Sequence, residues 1–200
     1  MNESWRDIVV ILLRALILPM SLLLVLLEGL QRAAAGILVS ISPAITVQQL
    51  GWAQTEFANW IAVTGIIASV VGIAFGAMAD RAGLVKVLFI FILLRMVGFV
   101  VFAYTEEYWP NDEYFKAMML AEGIMSQFVT ITVIALFMRL CLPQVAATQF
   151  AVYMALANLT RSIGSGVVVA TRRFDGLFPN VFGDGWTPRG LFVVIAAVKF

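Results

Sequence analysis

The chain carries a few charged and polar residues within long apolar runs, and these are its candidates for binding an ion or transferring a proton. Glu28 and Arg32 lie four residues apart, so on a helix they face the same side and can pair. A charged residue at mid-membrane costs roughly 2.5–3.5 kcal/mol on insertion scales and usually faces a partner or a water-filled cavity. Two interpretations stay open. Either Arg32 attracts an anionic solute while Glu28 carries a proton, or the two form an ion pair that only neutralises costly charges.

A second candidate carboxylate, Glu122, begins a polar stripe that continues at Ser126 and Thr130, with Gln127 beside it. Such a stripe lines either a helix contact or a solute path. The chain has no histidine, so a proton-coupled carrier would have to use a buried carboxylate. Glu28 and Glu122 are therefore the two candidates for proton transfer, and a purely structural role is the alternative for each.

Three further polar residues complete the predicted solute pathway. Arg95 lies near the middle of one apolar run, and Asn158 and Arg161 lie within another. Both arginines could make bidentate contacts with carboxylate or phosphate groups. The alternative is that the arginines reach out to lipid headgroups, which fits Arg161 better because it is nearer a membrane face.

Composition excludes several other classes of chemistry. The chain has no histidine and one cysteine, Cys141, which excludes a disulfide framework, the usual Cys/His zinc sites and Ser-His or Cys-His nucleophile pairs. Thirteen Lys and Arg against twelve Asp and Glu leave a net charge of +1, so no basic surface for nucleic acid is expected. We expect no enzyme activity, no catalytic residue, no metal and no cofactor.

The composition predicts that these residues are carried by membrane helices. Hydrophobic residues make up 62% of the 200 residues and charged residues 12%, against about 25% charged in soluble domains. A chain this apolar could not hide its side chains in a core of its own and requires lipid around it. The sequence therefore predicts an all-α, polytopic membrane helix bundle with membrane lipid as its first partner.

The apolar runs predict where the helices cross. We expect an N-terminal interfacial segment over 1–13 and a six-helix unit over 14–200. A bilayer core needs about 20 apolar residues per helix, and the last apolar stretch is too short for this. The sequence thus predicts five full transmembrane helices and a truncated sixth, with spans at about 14–42, 57–78, 87–104, 115–142, 147–170 and 190–200.

The connection between the second and third spans carries a motif. Residues 76–86 read GAMADRAGLVK, and Gly83 is expected to turn the chain with a positive φ. The segment resembles the signature loop of the major facilitator superfamily, G-x-L-A-D-R-x-G-R-K, although it departs at Met78, Leu84 and Val85. The resemblance implies a cytoplasmic loop that helps to latch one conformation of a transport cycle; a plain helix–helix turn is the alternative. The latch residues would be Gly76, Asp80, Arg81, Gly83 and Lys86.

A second resemblance covers the later spans. Residues 135–161 read ALFMRLCLPQVAATQFAVYMALANLTR and are similar to the AmpG-type muropeptide permeases of the same superfamily: a Leu-Cys helix end, an Ala-Thr-Gln-Phe-Ala loop and a small-residue helix. Pro143 and Thr160 depart from that pattern. The resemblance implies that residues 14–170 correspond to the C-terminal six-helix half of an alternating-access carrier.

The function that this resemblance implies is transport of a small amphiphilic or anionic, muropeptide-like solute, coupled to protons, across a bacterial inner membrane. The partner would be an N-terminal six-helix half, in cis or in trans. Because the sixth span stops part of the way across, the alternative is a truncated or degenerate membrane protein. Such a protein would have no transport of its own and would act at most as a structural or interaction partner.

Overall fold

The structure, a computed structural model, describes residues 5–173 and Ile195. A π-helix, Ala44–Gln49, continues the second α-helix, and a 3-10 turn, Glu106–Tyr108, connects the fourth and fifth. The described part is otherwise helices and short connections, which confirms the prediction of an all-α protein for these residues. The helices are α1 (Trp5–Ile17), α2 (Pro19–Pro43), α3 (Gln54–Ala82), α4 (Leu84–Tyr104), α5 (Asp112–Leu140) and α6 (Ala146–Arg173).

Four of the helices have the length and hydropathy to cross a membrane: α2 with its π-helical extension, α3, α4 and α5. They correspond to the first four predicted spans. The predicted fifth span, 147–170, coincides with α6, which is 28 residues long but more polar than the other four, so its crossing stays a prediction. The predicted short span 190–200 lies outside the described residues, except for Ile195.

The first predicted span is divided in two at a proline. Leu18 has an extended conformation, with φ −54° and ψ 135°, and Pro19 starts α2. A residue before proline is disfavoured in the helical region by contact with the proline ring, so α1 ends at Ile17. The structure therefore places the helix break within the predicted span 14–42 and not at the expected boundary between residues 13 and 14.

The connection between the second and third spans, left between residues 78 and 87 by the predicted bounds, is much shorter than expected. Gly83 alone separates α3 from α4, and its φ of +94° confirms the predicted positive φ. Asp80 and Arg81 belong to the last turn of α3, and Lys86 belongs to the first turn of α4. The reason is that both flanking segments are good helix formers and one glycine suffices to reverse the chain.

Helices α2 and α6 form the closest packed pair in the described part of the chain. A Cβ atom added to Gly36 would collide with the backbone carbonyl of Arg161, and one added to Gly164 would collide with that of Ala33. The Ser165 hydroxyl also donates a hydrogen bond to the Gly36 carbonyl at 3.1 Å. Small residues at a helix crossing let two backbones touch, which is how helices associate without a hydrophobic driving force in lipid.

Aromatic clusters mark the two ends of the helix bundle. Phe75, Phe91 and Phe128 pack together from α3, α4 and α5, and the Phe75 and Phe128 rings stack with centroids 3.8 Å apart. This side leads to Gly83, and we call it the Gly83 end. At the opposite end, Trp52 and Trp109 pack with the rings of Phe102 and Phe115; we call it the Trp52 end.

Candidate functional site

A cavity of about 700 Å³ lies between α2, α3, α4 and α5, with Arg161 of α6 contributing to its wall. It extends from the middle of these helices towards the Trp52 end. Five of the seven predicted pathway residues line it, namely Arg32, Arg95, Glu122, Gln127 and Arg161. All four charged residues that line this cavity were thus among the residues predicted from the sequence.

The centre of the site is an ion pair between α4 and α5. Arg95 donates from Nη2 to Glu122 Oε1 at 2.5 Å and from Nε to Glu122 Oε2 at 3.2 Å. Its Nη1 donates to the Gln31 side-chain oxygen on α2 at 3.0 Å. The Arg95 side chain is only 3% exposed and that of Glu122 is 19% exposed. The charge-assisted bidentate pair joins α4 to α5, and the bond from Arg95 to Gln31 adds α2, so that Arg95 connects three helices in the interior.

The predicted pairing of Glu28 with Arg32 is confirmed. Arg32 Nε donates to Glu28 Oε1 at 2.5 Å along one face of α2. The Glu28 side chain is 4% exposed and that of Arg32 is 20% exposed, and only Arg32 lines the cavity. Both sequence interpretations remain compatible with this arrangement, since the arginine is paired and also faces the cavity.

The cavity carries an excess of positive charge. Its wall holds three arginines and one glutamate, and Glu28 behind Arg32 supplies one more negative charge. The formal balance among these groups is therefore one positive charge. A partly desolvated cavity with a positive balance attracts anions and focuses the field inside it. The arrangement can hold a carboxylate or phosphate group by bidentate arginine contacts.

The remaining pathway candidates occupy different surroundings. Gln127 on α5 lies against Gly72 of α3, where an added Cβ would come within 3.1 Å of it. Arg161 is exposed and contributes to the cavity wall. Asn158 is exposed on α6 and is not part of the cavity wall; its backbone carbonyl accepts a hydrogen bond from the Ser162 hydroxyl. The structure therefore does not bring Asn158 to the site.

The predicted latch residues lie together at the Gly83 end, on the surface of the described part. Asp80 accepts from Arg139 of α5 at 3.5 Å, and both side chains are more than 60% exposed. Exposed pairs of this kind contribute only about 0–1 kcal/mol. Arg81 and Lys86 are exposed as well, and Gly76 is half-buried within α3. A latching role for these five residues stays a prediction.

Several polar contacts of the site were not expected from the sequence. Gln31 is the acceptor for Arg95; a signal was available, because Gln31 lies three residues after Glu28 on the same helix. Tyr153 donates to the Ser21 hydroxyl at 2.9 Å and accepts from Gln149 at 2.6 Å. These three residues join α2 to α6 near the Gly83 end. The spacing of Ser21 and Tyr153, 132 residues apart in the chain, gave no basis for predicting their contact.

A further group of polar residues lies at the Trp52 end of the helix bundle. The Trp52 ring nitrogen donates to Asp112 at 2.9 Å, and the Lys116 ammonium lies 5.0 Å from the centre of the Trp52 ring. Lys116 also pairs with Glu56 at 2.9 Å. This group links the start of α3 to the start of α5, next to the lining residues Phe57 and Phe115.

The described residues contain no group of three or more His, Cys, Asp or Glu side chains placed to hold a metal ion. No protein-family model, curated protein or solved structure matches this chain. The likeness to major facilitator permeases therefore rests on the two sequence motifs. The structure itself shows a helical protein whose described part contains four apolar helices of membrane-spanning length.

Proposed function

We propose that this chain is part of a membrane carrier for a small anionic solute of the muropeptide-like, amphiphilic kind. In this proposal it forms the C-terminal half of a major-facilitator carrier in a bacterial inner membrane. The second half would be supplied by another six-helix unit, and the two would rock around a site near mid-membrane. The single observation that carries the proposal is the cavity among the apolar helices whose charged lining is three arginines and one glutamate.

Proton coupling follows from competition for Arg95. An anion that reaches the guanidinium competes with the Glu122 carboxylate, which holds two of its N–H groups. A carboxylate that loses its arginine and faces a second anion takes up a proton, because two neighbouring negative charges repel each other. One anion and one proton would then occupy the site together. Glu122 is thus the proposed proton carrier, and Glu28, paired behind Arg32, is the second candidate.

Uptake by native membrane vesicles from cells expressing this chain tests the proposal. We expect saturable accumulation of labelled anhydro-muropeptide that depends on an inward proton gradient. Glu122→Gln should abolish the dependence on the gradient, because an amide cannot exchange the proton. The matched control is Glu107→Gln, which removes an exposed carboxylate outside the cavity. Absence of any proton-dependent uptake would remove the substrate assignment.

A second candidate function is that of a membrane-embedded structural partner without transport. The observation that favours it is that Glu28 and Glu122 are both already paired with arginines of the same chain. Paired charges in a span can serve only to neutralise one another. Under this alternative, expression of the chain changes no solute uptake, while neutral replacement of both pairs leaves its folding and its association with other membrane proteins intact.

A further inference from the structure

The cavity lining changes from polar to apolar along three of the helices in the same direction. Arg32 and Arg95 are the lining residues of α2 and α4 that lie farthest from the Trp52 end, and Glu122 of α5 pairs with Arg95; we call this the deep end of the cavity. Seven residues nearer the Trp52 end, the same helices present Val39, Phe102 and Phe115 respectively. Seven helical residues correspond to a distance of about 10 Å. The charged side chains on these three helices therefore lie at one end of the cavity, and the lining nearer the Trp52 end is apolar except for Ser42 of α2; we call these the charged zone and the apolar zone.

The fourth helix of the cavity wall follows the same order. Thr64 and Ser69 of α3 line the deeper part, and Ile61 and Phe57 line the part near the Trp52 end. No charged residue occurs in α3 between Glu56 and Asp80. Met118 and Met119 of α5 add flexible apolar surface to the same zone, and methionines adapt readily to irregular apolar ligands.

We propose that the cavity binds an amphiphilic monoanion in one orientation, with its carboxylate at the arginines and an unbranched apolar chain directed to the Trp52 end. The proposal rests on the anion-carrier part of the function above, but it assigns an alkyl chain, and not the sugar of a muropeptide, to the end of the cavity near Trp52. Arginines provide bidentate contacts for the carboxylate, and the aromatic and methionine side chains remove the chain from water. A polyhydroxylated anion of the same length would leave its hydroxyl groups without partners in the apolar zone.

Gly98 leaves room for an apolar chain that runs from the arginines to the Trp52 end. It lies on α4 three residues from Arg95 towards Phe102 and lines the cavity between the two zones. An added Cβ there meets only the terminal methyl of Met125, at 3.5 Å, which is an ordinary contact. A larger side chain at this position would therefore project into the cavity without disturbing the helix packing. We assign Gly98 as the position that sets how long an apolar chain the site accepts.

Equilibrium binding to the full chain in lipid nanodiscs tests the proposal, with empty nanodiscs subtracted. The probes are labelled butanoate, hexanoate and octanoate, with gluconate as a six-carbon polar anion of the same charge as hexanoate. Each added CH₂ should tighten Kd by about fourfold, and hexanoate should bind more tightly than gluconate. Gly98→Leu should flatten this gain beyond butanoate, while Gly98→Ala should give an intermediate response.

Gly166→Leu is the matched control, because Gly166 is exposed on α6 outside the cavity and an added Cβ there meets nothing within 4 Å. It should retain the full dependence on chain length. Equal affinities for hexanoate and gluconate, or an unchanged chain-length dependence in both Gly98 variants, would overturn the amphiphile assignment but leave the anion carrier standing. If no carboxylate binds above the empty nanodiscs, the proposed function itself fails.

Discussion

Arg95 and Glu122 are 27 residues apart in the chain, yet their side chains meet in the interior through two hydrogen bonds, at 2.5 and 3.2 Å. The pair crosses from α4 to α5, and the remaining terminal nitrogen of Arg95 reaches Gln31 on α2. A guanidinium held on two edges has a fixed plane and a fixed position. The same contacts that stabilise the bundle therefore also aim a cation into the cavity.

Removing one partner of this pair should be more harmful than removing both. Glu122→Gln leaves the nearly buried Arg95 charge uncompensated, and breaking a buried ion pair costs about 3–5 kcal/mol. Replacing both residues, by Arg95→Gln with Glu122→Gln, removes the two charges together and should recover part of that loss. Thermal unfolding in lipid nanodiscs gives the comparison through a double-mutant cycle.

The exposed pair of Asp80 and Arg139 provides the reference for that cycle. Asp80→Asn and Arg139→Gln should each change the free energy of unfolding by less than about 1 kcal/mol, and their coupling should be close to zero. A coupling energy for Arg95 and Glu122 no larger than that of the exposed pair would contradict the central position assigned to them.

The two charged pairs show which contacts could be predicted from the sequence and which could not. Glu28 and Arg32 were predictable because a spacing of four places side chains together on any helix. The contact of Arg95 with Glu122 depends on how α4 packs beside α5, which no local pattern contains. Both residues were singled out because charge in an apolar run is costly, but their pairing and the acceptor Gln31 required the fold.

The helix bounds likewise divide into those that local sequence predicted and those that depend on the fold. The apolar runs predicted the first four spans, and the positive φ of Gly83 was predicted from the turn it had to make. The expected loop around Gly83 proved to be one residue, because helix continues up to each side of it. Asn158 was proposed for the pathway from its position in a span, but its place on α6 leaves it outside the cavity wall. Asn158 and Arg161 are three residues apart on α6, and which of them reaches the cavity depends on how α6 packs against α2, which the sequence alone does not determine.

Gly83→Ala should destabilise the connection between α3 and α4. Its φ of +94° with ψ of 115° lies outside the regions that L-residues populate and costs such a residue about 1–3 kcal/mol. Gly76→Ala is the matched control, since Gly76 lies inside α3 and an added Cβ meets nothing within 4 Å. That change should stabilise the helix by about 0.5–1 kcal/mol. Denaturation of the two variants side by side should therefore give shifts of opposite sign; shifts of the same sign would be inconsistent with the turn described.

Gly164→Ala should separate α2 from α6. The added methyl group would collide with the Ala33 carbonyl, and backbone contacts cannot yield as a flexible side chain can. Overpacking of this kind typically costs about 1–3 kcal/mol. Gly166→Ala, two residues later on the same helix, meets no atom within 4 Å and should be neutral or slightly stabilising. Heat stability of both variants in the same nanodiscs distinguishes them, and equal stabilities would argue against the close crossing.

The reactivity of two single cysteines, each in a Cys141→Ser background, tests most directly whether lipid surrounds the helices while water enters the cavity. Ile73 is 81% exposed on α3, whereas Ser126 is half-buried on α5 and lines the cavity. If lipid surrounds the helices and water enters the cavity, a charged, water-soluble thiol reagent should label Ser126→Cys and spare Ile73→Cys in intact membranes. Faster labelling of Ile73→Cys would place water on the outer surface of the helices and contradict a membrane carrier.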